Sequence, residues 1–208
     1  MAEKMIENIH WLGHDGFYVT GSRVVYFDPW EVSDGPKADL ICISHEHFDH
    51  CSPDDVEKIS KRETVVVTEP VAAGKLSGDV RVLKPGQSID VAGVRVTGVA
   101  AYNTDKAFHP KSNQWLGFVV EMDGVKIYHA GDTDFIPEMK DLDVDIALIP
   151  VSGIYVMDVD EAIEAVRAIK PKIVVPMHYG KIVGSEDDAK RLAEALRGEM
   201  TVVIKQKE

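Results

Sequence analysis

Apolar residues along this chain come in short runs broken by glycine, proline and acidic turns. Residues 5–11, 16–20 and 23–28 read as short strands, parted by Gly13-His14-Asp15-Gly16 and Thr20-Gly21-Ser22, both turn-like. Leu40-Ile41-Cys42-Ile43 is an unbroken apolar run of strand length, so it is expected to be buried. A helix is expected from Pro53 to Lys61, with Ser52 as N-cap, proline at the first position and Asp55 in the first turn. Thr64-Val65-Val66-Val67 reads as a strand and Pro70 to Leu76 as a short helix. Residues 80–83, 88–91 and 94–100 are further strands, broken at Pro85-Gly86 and Ala92-Gly93.

Tyr102 to Asn113 has little apolar content and no clear period, as expected of a loop. Residues 115–122 and 125–130 suit a hairpin around Asp123-Gly124, a strong turn signal. Val144 to Ile149 is another apolar strand. Asp158 then opens a helix with Glu161 as its capping-box partner. Val159, Ala162, Ile163, Val166 and Ile169 form its apolar face, and Pro171 stops it. Ile173-Val174-Val175 is a strand, and Ser185 caps a last helix with Ala189, Leu192, Ala193 and Leu196 inward, ended by Gly198. Thr201 to Lys205 is expected to be a terminal strand. Strands dominate the first half and strand–helix alternation the second, with no linker or repeat between them. With 208 residues to bury a core, the expectation is one α/β domain over residues 1–208, sheets inside and helices outside.

Chemistry concentrates where the 40–43 run ends. His45-Glu46-His47-Phe48-Asp49-His50 places three imidazoles and two carboxylates in six residues. That donor set suits Zn, Fe, Mn or Ni, and three histidines so close are improbable as a merely solvated turn. His45 and His47 alternate and can share one ion, whereas Asp49 and His50 can turn to a second. Two other apolar strands also end in metal-competent residues, at His129-Ala130-Gly131-Asp132-Thr133-Asp134 and at Pro176-Met177-His178-Tyr179-Gly180. Ligand loops gathered at one edge of a sheet are a common way to build such a site.

The favoured assignment gives one ion His45, His47 and His109, the other Asp49, His50 and His178, with Asp132 bridging. Taken singly, His109 could be a solvent-facing loop residue, Asp132 a turn former and His178 a hydrogen-bonded core histidine. His129 competes with His109, but lies on a strand where packing is the more natural role. Asp28, at the end of another buried strand, is either a turn former or a carboxylate that orients a metal-bound histidine. His14 either belongs to a loop or lines the site, and His10 reads as a strand residue without a role.

Composition narrows the setting. A hydrophobic fraction of 45% with 28% charged residues is ordinary globular composition. No apolar run approaches the roughly 18 residues that span a bilayer, and the N-terminal residues lack the apolar stretch of a signal peptide. Cys42 and Cys51, the only cysteines, suggest reduced thiols, so the cytoplasm is the default expectation. The net charge of −12 argues against long nucleic-acid partners. Bound divalent cations would offset it locally, leaving a small-molecule substrate as the expected partner and homo-oligomer formation open.

The sequence His-x-His-x-Asp-His, followed by a later His, Gly-Asp-Thr and a late His, resembles the metallo-β-lactamase fold superfamily over nearly the whole chain. Trp11-Leu12-Gly13-His14, Phe27-Asp28-Pro29-Trp30, Ala101-Tyr102-Asn103, Tyr128 to Asp134 and Pro176 to Gly180 look closer still to small metal-dependent hydrolases of the ascorbate-6-phosphate lactonase-like group. The resemblance implies a four-layer αβ/βα sandwich, two mixed sheets flanked by helices, with a dinuclear site at one edge. Asp49-His50 departs from flavo-diiron relatives, where a glutamate replaces the second histidine of the loop. Nothing in these residues resembles a flavodoxin segment, an added helical domain of the glyoxalase II type or a tRNA-clamping arm, and the export signal of true β-lactamases is not expected here.

Two divalent ions (zinc first, with Mn, Ni or Fe as alternatives) would lower the pKa of a bridging water from about 15.7 to about 7, giving a hydroxide nucleophile. Asp49 is a candidate for both ligand and proton relay, while His14, Tyr102, Asn103, Lys106, Tyr155 and Tyr179 could line the pocket. The expected reaction is hydrolysis of an ester, lactone or phosphodiester bond in a small substrate. The same motif also fits a mononuclear iron-dependent oxygenase of the persulfide type, or a non-catalytic metal- or ligand-binding protein.

Overall fold

A computed structural model describes residues 1–208. Two mixed sheets face each other. The first runs in the order β1 (Ile9–Gly13), β2 (Gly16–Thr20), β3 (Val24–Phe27), β4 (Leu40–Ile43), β5 (Val65–Thr68) and β6 (Asp79–Val82). Its first three strands are antiparallel and its last three join on in parallel. The second sheet comprises β7 (Ser88–Val91), β8 (Val94–Ala100), β9 (Leu116–Met122), β10 (Val125–His129), β11 (Ile146–Pro150), β12 (Ile173–Met177) and β13 (Thr201–Val202), adjacent in chain order. It too passes from antiparallel pairing to parallel pairing, at β10 and β11.

Strand alternation decides which side chains meet between the sheets. Val25, Phe27, Leu40, Cys42, Val65 and Val67 point to the shared core, where they join Val96, Phe118, Val120 and Ile127 of the second sheet. Tyr26, Ile41, Ile43 and Val66 point the other way and pack with Val56 and Ile59 of α2 (Pro53–Ile59) and Ala72 of α3 (Pro70–Ala73). On the far side, α4 (Val159–Ile169) and α5 (Glu186–Ala195) bury Ala162, Val166, Ala189 and Leu192 against the second sheet. The result is the four-layer αβ/βα sandwich implied by the sequence.

The expected elements recur with shorter ends. Ser52 accepts from the Asp55 N–H at the start of α2, and Asp158 and Glu161 form the full capping box of α4. Asp123 and Gly124, with φ of 54° and 73°, turn the β9–β10 hairpin. Within α4, Ala165 is buried while Ile163 is only half-buried. Residues 5–8 correct the sequence reading: Ala2–Met5 is a short helix and Ile6–Asn8 a 3₁₀ turn, so the strand begins at Ile9. Ala-Glu-Lys-Met favours helix, and burying Ala2 and Met5 three residues apart satisfies its apolar positions. The terminal strand is also shorter than expected, because after Val202 the chain leaves the second sheet and Lys207 bridges to Trp11 of the first.

Candidate metal centre

Strand ends from both sheets deliver the site. The loop after β4 carries His45, His47, Asp49 and His50; Asp132 follows β10, His178 follows β12, and His109 comes from the loop between β8 and β9. His14 lies in the β1–β2 turn. Several of these positions need unusual backbone: His14, Asp28, His109 and His178 have φ of 52°, 40°, 54° and 59°. Left-handed non-glycine residues cost about 1–3 kcal/mol each and tend to cluster at functional sites, as they do here. Gly131, with φ of 63°, allows a close backbone approach, since a side chain there would meet the Leu116 carbonyl at 2.8 Å.

The Asp132 carboxylate lies between two groups of imidazoles. Its Oδ2 is 3.3 Å from His109 Nε2 and 4.0 Å from His45 Nε2. Its Oδ1 is 3.4 Å from both His50 Nε2 and His178 Nε2. His47 Nδ1 stands 3.0 Å from His45 Nε2, completing the first group. Asp49 Oδ2 is 3.8 Å from His50 Nε2 and 3.2 Å from His14 Nε2, on the side of the second. The donor atoms of His45, His47 and His109 lie within 4.8 Å of one another, as do those of His14, His50 and His178.

Each central imidazole is oriented from behind. His45 Nδ1 meets Ser44 Oγ at 2.9 Å, His50 Nδ1 meets Asp28 at 2.8 Å, His109 Nδ1 meets the Tyr155 carbonyl at 2.9 Å and His178 Nδ1 meets Ser152 Oγ at 2.8 Å. With Nδ1–H donated outward, the neutral ring presents a lone pair inward at Nε2, the arrangement that metal-binding histidines use; on His50 and His178 an incoming ion would have to displace a proton there. Asp28 is the hub, accepting also from the Ser44 N–H and hydroxyl at 2.7 and 2.6 Å. Trp115 packs its ring against those of His45, His47 and His109 at 4.5, 4.9 and 5.3 Å.

Electrostatics point the same way. Burial pushes the His45 and His109 pKa values down, which keeps these rings neutral and able to coordinate. Burial also opposes charge on His50 and His178, but Asp132 overrides it, helped by Asp28 and Asp15 respectively. His50 is held well above the usual histidine range and His178 at about 9. Burial would raise Asp132, yet His50 and His178 hold it well below the carboxylate range. His50 Nε2 and Asp132 Oδ1 are buried and make no hydrogen bond within the protein. Inward lone pairs, a shared carboxylate and unpartnered buried atoms fit divalent cations with N/O ligands.

The structure therefore brings together His45, His47, Asp49, His50, His109, Asp132 and His178, with Asp28 behind them. His129 is not among these donors: buried in the core, it stacks on Phe27 at 5.1 Å and bonds to the Asp15 carbonyl, with a ring nitrogen within 4.8 Å of carboxylate oxygens of Asp15 and Asp28. His14 belongs to the cluster itself rather than merely lining a pocket. Asn103 donates to the Tyr155 carbonyl at 2.7 Å, bracing the His109 loop. Tyr179 packs on Trp11 at 4.9 Å and lines a recess with His14 and Trp30. Two pocket expectations fail. The Tyr102 hydroxyl turns to Glu138 and Lys111, lining a separate cavity. The Lys106 ammonium is committed to the buried Asp134 and to Glu161. Sequence reasoning missed Ser44, Ser152, Trp115 and Asp15. Only Ser44, next to His45, carried a positional cue. Asp15 is wholly buried with neither carboxylate oxygen bonded, and burial pushes its pKa up to about 7.

Comparison with known proteins identifies the family and the fold. The model of the Beta-lactamase superfamily domain matches residues 8–178. The UPF0173 metal-dependent hydrolase of Thermoplasma acidophilum is 40% identical, over 82% of this chain and 82% of its own. That of Thermococcus onnurineus is 33% identical, over 82% and 84%. A crystal structure from Parabacteroides distasonis superposes with a TM-score of 0.86 at 35% identity, covering 96% of this chain and 93% of its own. The diiron β-hydroxylase CmlA of Streptomyces venezuelae, with a TM-score of 0.74 at 13% identity over 95% of this chain and 52% of its own, shares the fold. The chain belongs to the UPF0173 metal-dependent hydrolases, within the β-lactamase superfamily.

Proposed function

We propose that this protein hydrolyses an ester, lactone or phosphodiester bond in a small substrate, using two divalent ions with zinc as the first candidate. His45, His47 and His109 would hold one ion, and His50, His178 and Asp49 the other, with His14 beside Asp49. The observation that carries this reading is the division of Asp132, Oδ2 toward one set and Oδ1 toward the other. Bound there, the ions would supply Lewis acidity for the carbonyl or phosphoryl oxygen and would acidify water.

The chain's own groups supply positioning and proton transfer. Burial would raise Asp49, but the His14 hydrogen bond and His50 hold it below the usual carboxylate range. It is therefore ionised at neutral pH, ready to accept a proton at Oδ2 from the attacking water and return it to the leaving oxygen. Ser44, Asp28, Ser152 and the Tyr155 carbonyl fix the imidazoles beforehand, so little reorganisation is needed during reaction.

Metal content per chain, measured by mass spectrometry on protein purified without chelator, tests the proposal together with a screen of lactones and phosphodiesters. About two equivalents of Zn, Mn or Ni with turnover are expected from the two donor sets. One equivalent of iron with oxygen consumption would replace this reading with the oxygenase, and no uptake on reconstitution would end it.

A further inference from the structure

Large apolar side chains on the surface are few, and three of them stand on separate loops of the metal centre. Phe48 is 68% exposed, Phe108 49% and Ile154 57%. Phe48 lies between His47 and Asp49, donors that are only half-buried while His45 and His50 are fully covered, so the centre opens to solvent beside it. Phe108 precedes His109, whose ring is 5.3 Å from that of His47, placing Phe108 across the same opening. Its ring meets Tyr155 edge-on at 4.8 Å, next to Ile154. Phe48 in turn meets the Trp30 edge at 5.8 Å. Two aromatic pairs thus flank the same donors, one on the loop after β4 and the other on the loops that carry His109 and Tyr155.

We infer that this rim binds an apolar acyl or aryl group attached to the bond being cleaved. The inference deepens the hydrolase reading and rests on it for the identity of that bond. Exposed apolar surface is ordinary when scattered; gathered around a polar centre it marks a binding surface. An aromatic side chain buries about 150–250 Å² when fully covered, and Phe48 and Phe108, each paired with one neighbouring ring, still leave 68% and 49% of their surface in solvent. A substrate with a short polar acyl group would leave them wet, whereas an alkyl or aryl chain would cover them while its carbonyl reaches the donors below.

The test uses p-nitrophenyl acetate, butyrate and octanoate with the metal-loaded protein, its Phe48→Ser and Phe108→Ser variants and the double variant. Metal content is measured on each. For wild type, kcat/KM is expected to rise about fourfold per added methylene from acetate to octanoate, and this slope is expected to flatten in the double variant. Octanoate binding, followed by tryptophan fluorescence without turnover, is expected to be tighter than butyrate binding in wild type and equal to it in the double variant. If no ester turns over yet octanoate binding depends on the two phenylalanines, the hydrolase reading fails and the rim stands. If chain length has no effect in either assay, or the variants keep the wild-type slope, the rim is not a substrate surface. A double variant that keeps that slope but changes oligomeric state on light scattering would assign the rim to a protein contact and overturn the inference.

Discussion

Asp132 is the residue on which both donor sets depend, because each of its oxygens faces a different set. Asp132→Ala is therefore expected to lose at least one metal equivalent and all hydrolytic activity. A variant retaining both would show that the carboxylate is not shared. Asp28 makes a different contribution: buried and bonded to His50 and twice to Ser44, it sets where two imidazoles point. Asp28→Asn keeps the size but cannot accept from three donors at once. Metal affinity is expected to fall about 10–100-fold with the fold intact, measured by competition with a chromophoric chelator against circular dichroism. The residues that the fold gathers into this cluster were legible in the sequence because imidazoles and carboxylates cluster on loops leaving apolar strands. Choosing His109 over His129 needed only strand periodicity, which puts His129 inside. Asp15 and Trp115 were not legible, since an acid in a turn and an aromatic at a strand start have ordinary explanations until a ring or carboxylate is seen against the cluster.

At the scale of elements, the loop between β8 and β9 is the least self-supporting part of the site, having no regular structure beyond a 3₁₀ turn at Lys111–Asn113. Lys106 anchors it, pairing with Asp134, which is buried and also accepts from the Thr104 N–H at 2.7 Å. Glu161 of the α4 capping box joins the same ammonium. The residue first read as a pocket cation is thus a tether between loop, strand end and helix. Removing one partner of a buried pair leaves the other charge uncompensated, at about 3–5 kcal/mol. Lys106→Gln is expected to lose roughly 3 kcal/mol in urea unfolding, clearly more than Lys111→Gln, whose exposed pair with Glu138 is screened by solvent. Equal effects would mean Asp134 is not stabilised by Lys106. Caps and turns such as Ser52, Asp158 and Asp123-Gly124 could be read in advance because their chemistry is local. Helix for residues 2–5 could not, since Met5, Ile6, Ile9 and Trp11 fit strand or helix spacing until tertiary burial of Ala2 and Met5 decides.

Across the whole molecule the candidate ligands come from both sheets, so bound ions would join the strand ends of one layer to those of the other. Metal removal should therefore lower global stability. Binding at free metal about 1,000 times Kd adds about 4 kcal/mol, which for a chain of this size is about 8–16 °C in Tm. The pH dependence of that gap follows from the metal-free charges. His178, raised to about 9 in the fold against about 6.5 unfolded, stabilises the metal-free protein fully below pH 6.5. That contribution is lost as pH rises through about 9, and His50, raised in the same sense, adds to the trend. Asp132 acts oppositely but at lower pH: its depressed pKa stabilises above about 3.9 and is lost as pH falls further. His45 and His109, which burial holds below the usual histidine range, act oppositely, their penalty fading as pH rises to about 6.5. Between about pH 7 and pH 9 the metal-free protein should accordingly become less stable. Metal must displace the protons on His178 and His50, so its affinity should rise over the same interval. Calorimetric melts at pH 7 and 9, with and without chelator, are expected to show the two Tm values diverging as pH increases. A gap that stays constant would mean that the protonated imidazoles and the ions do not compete for the same nitrogens.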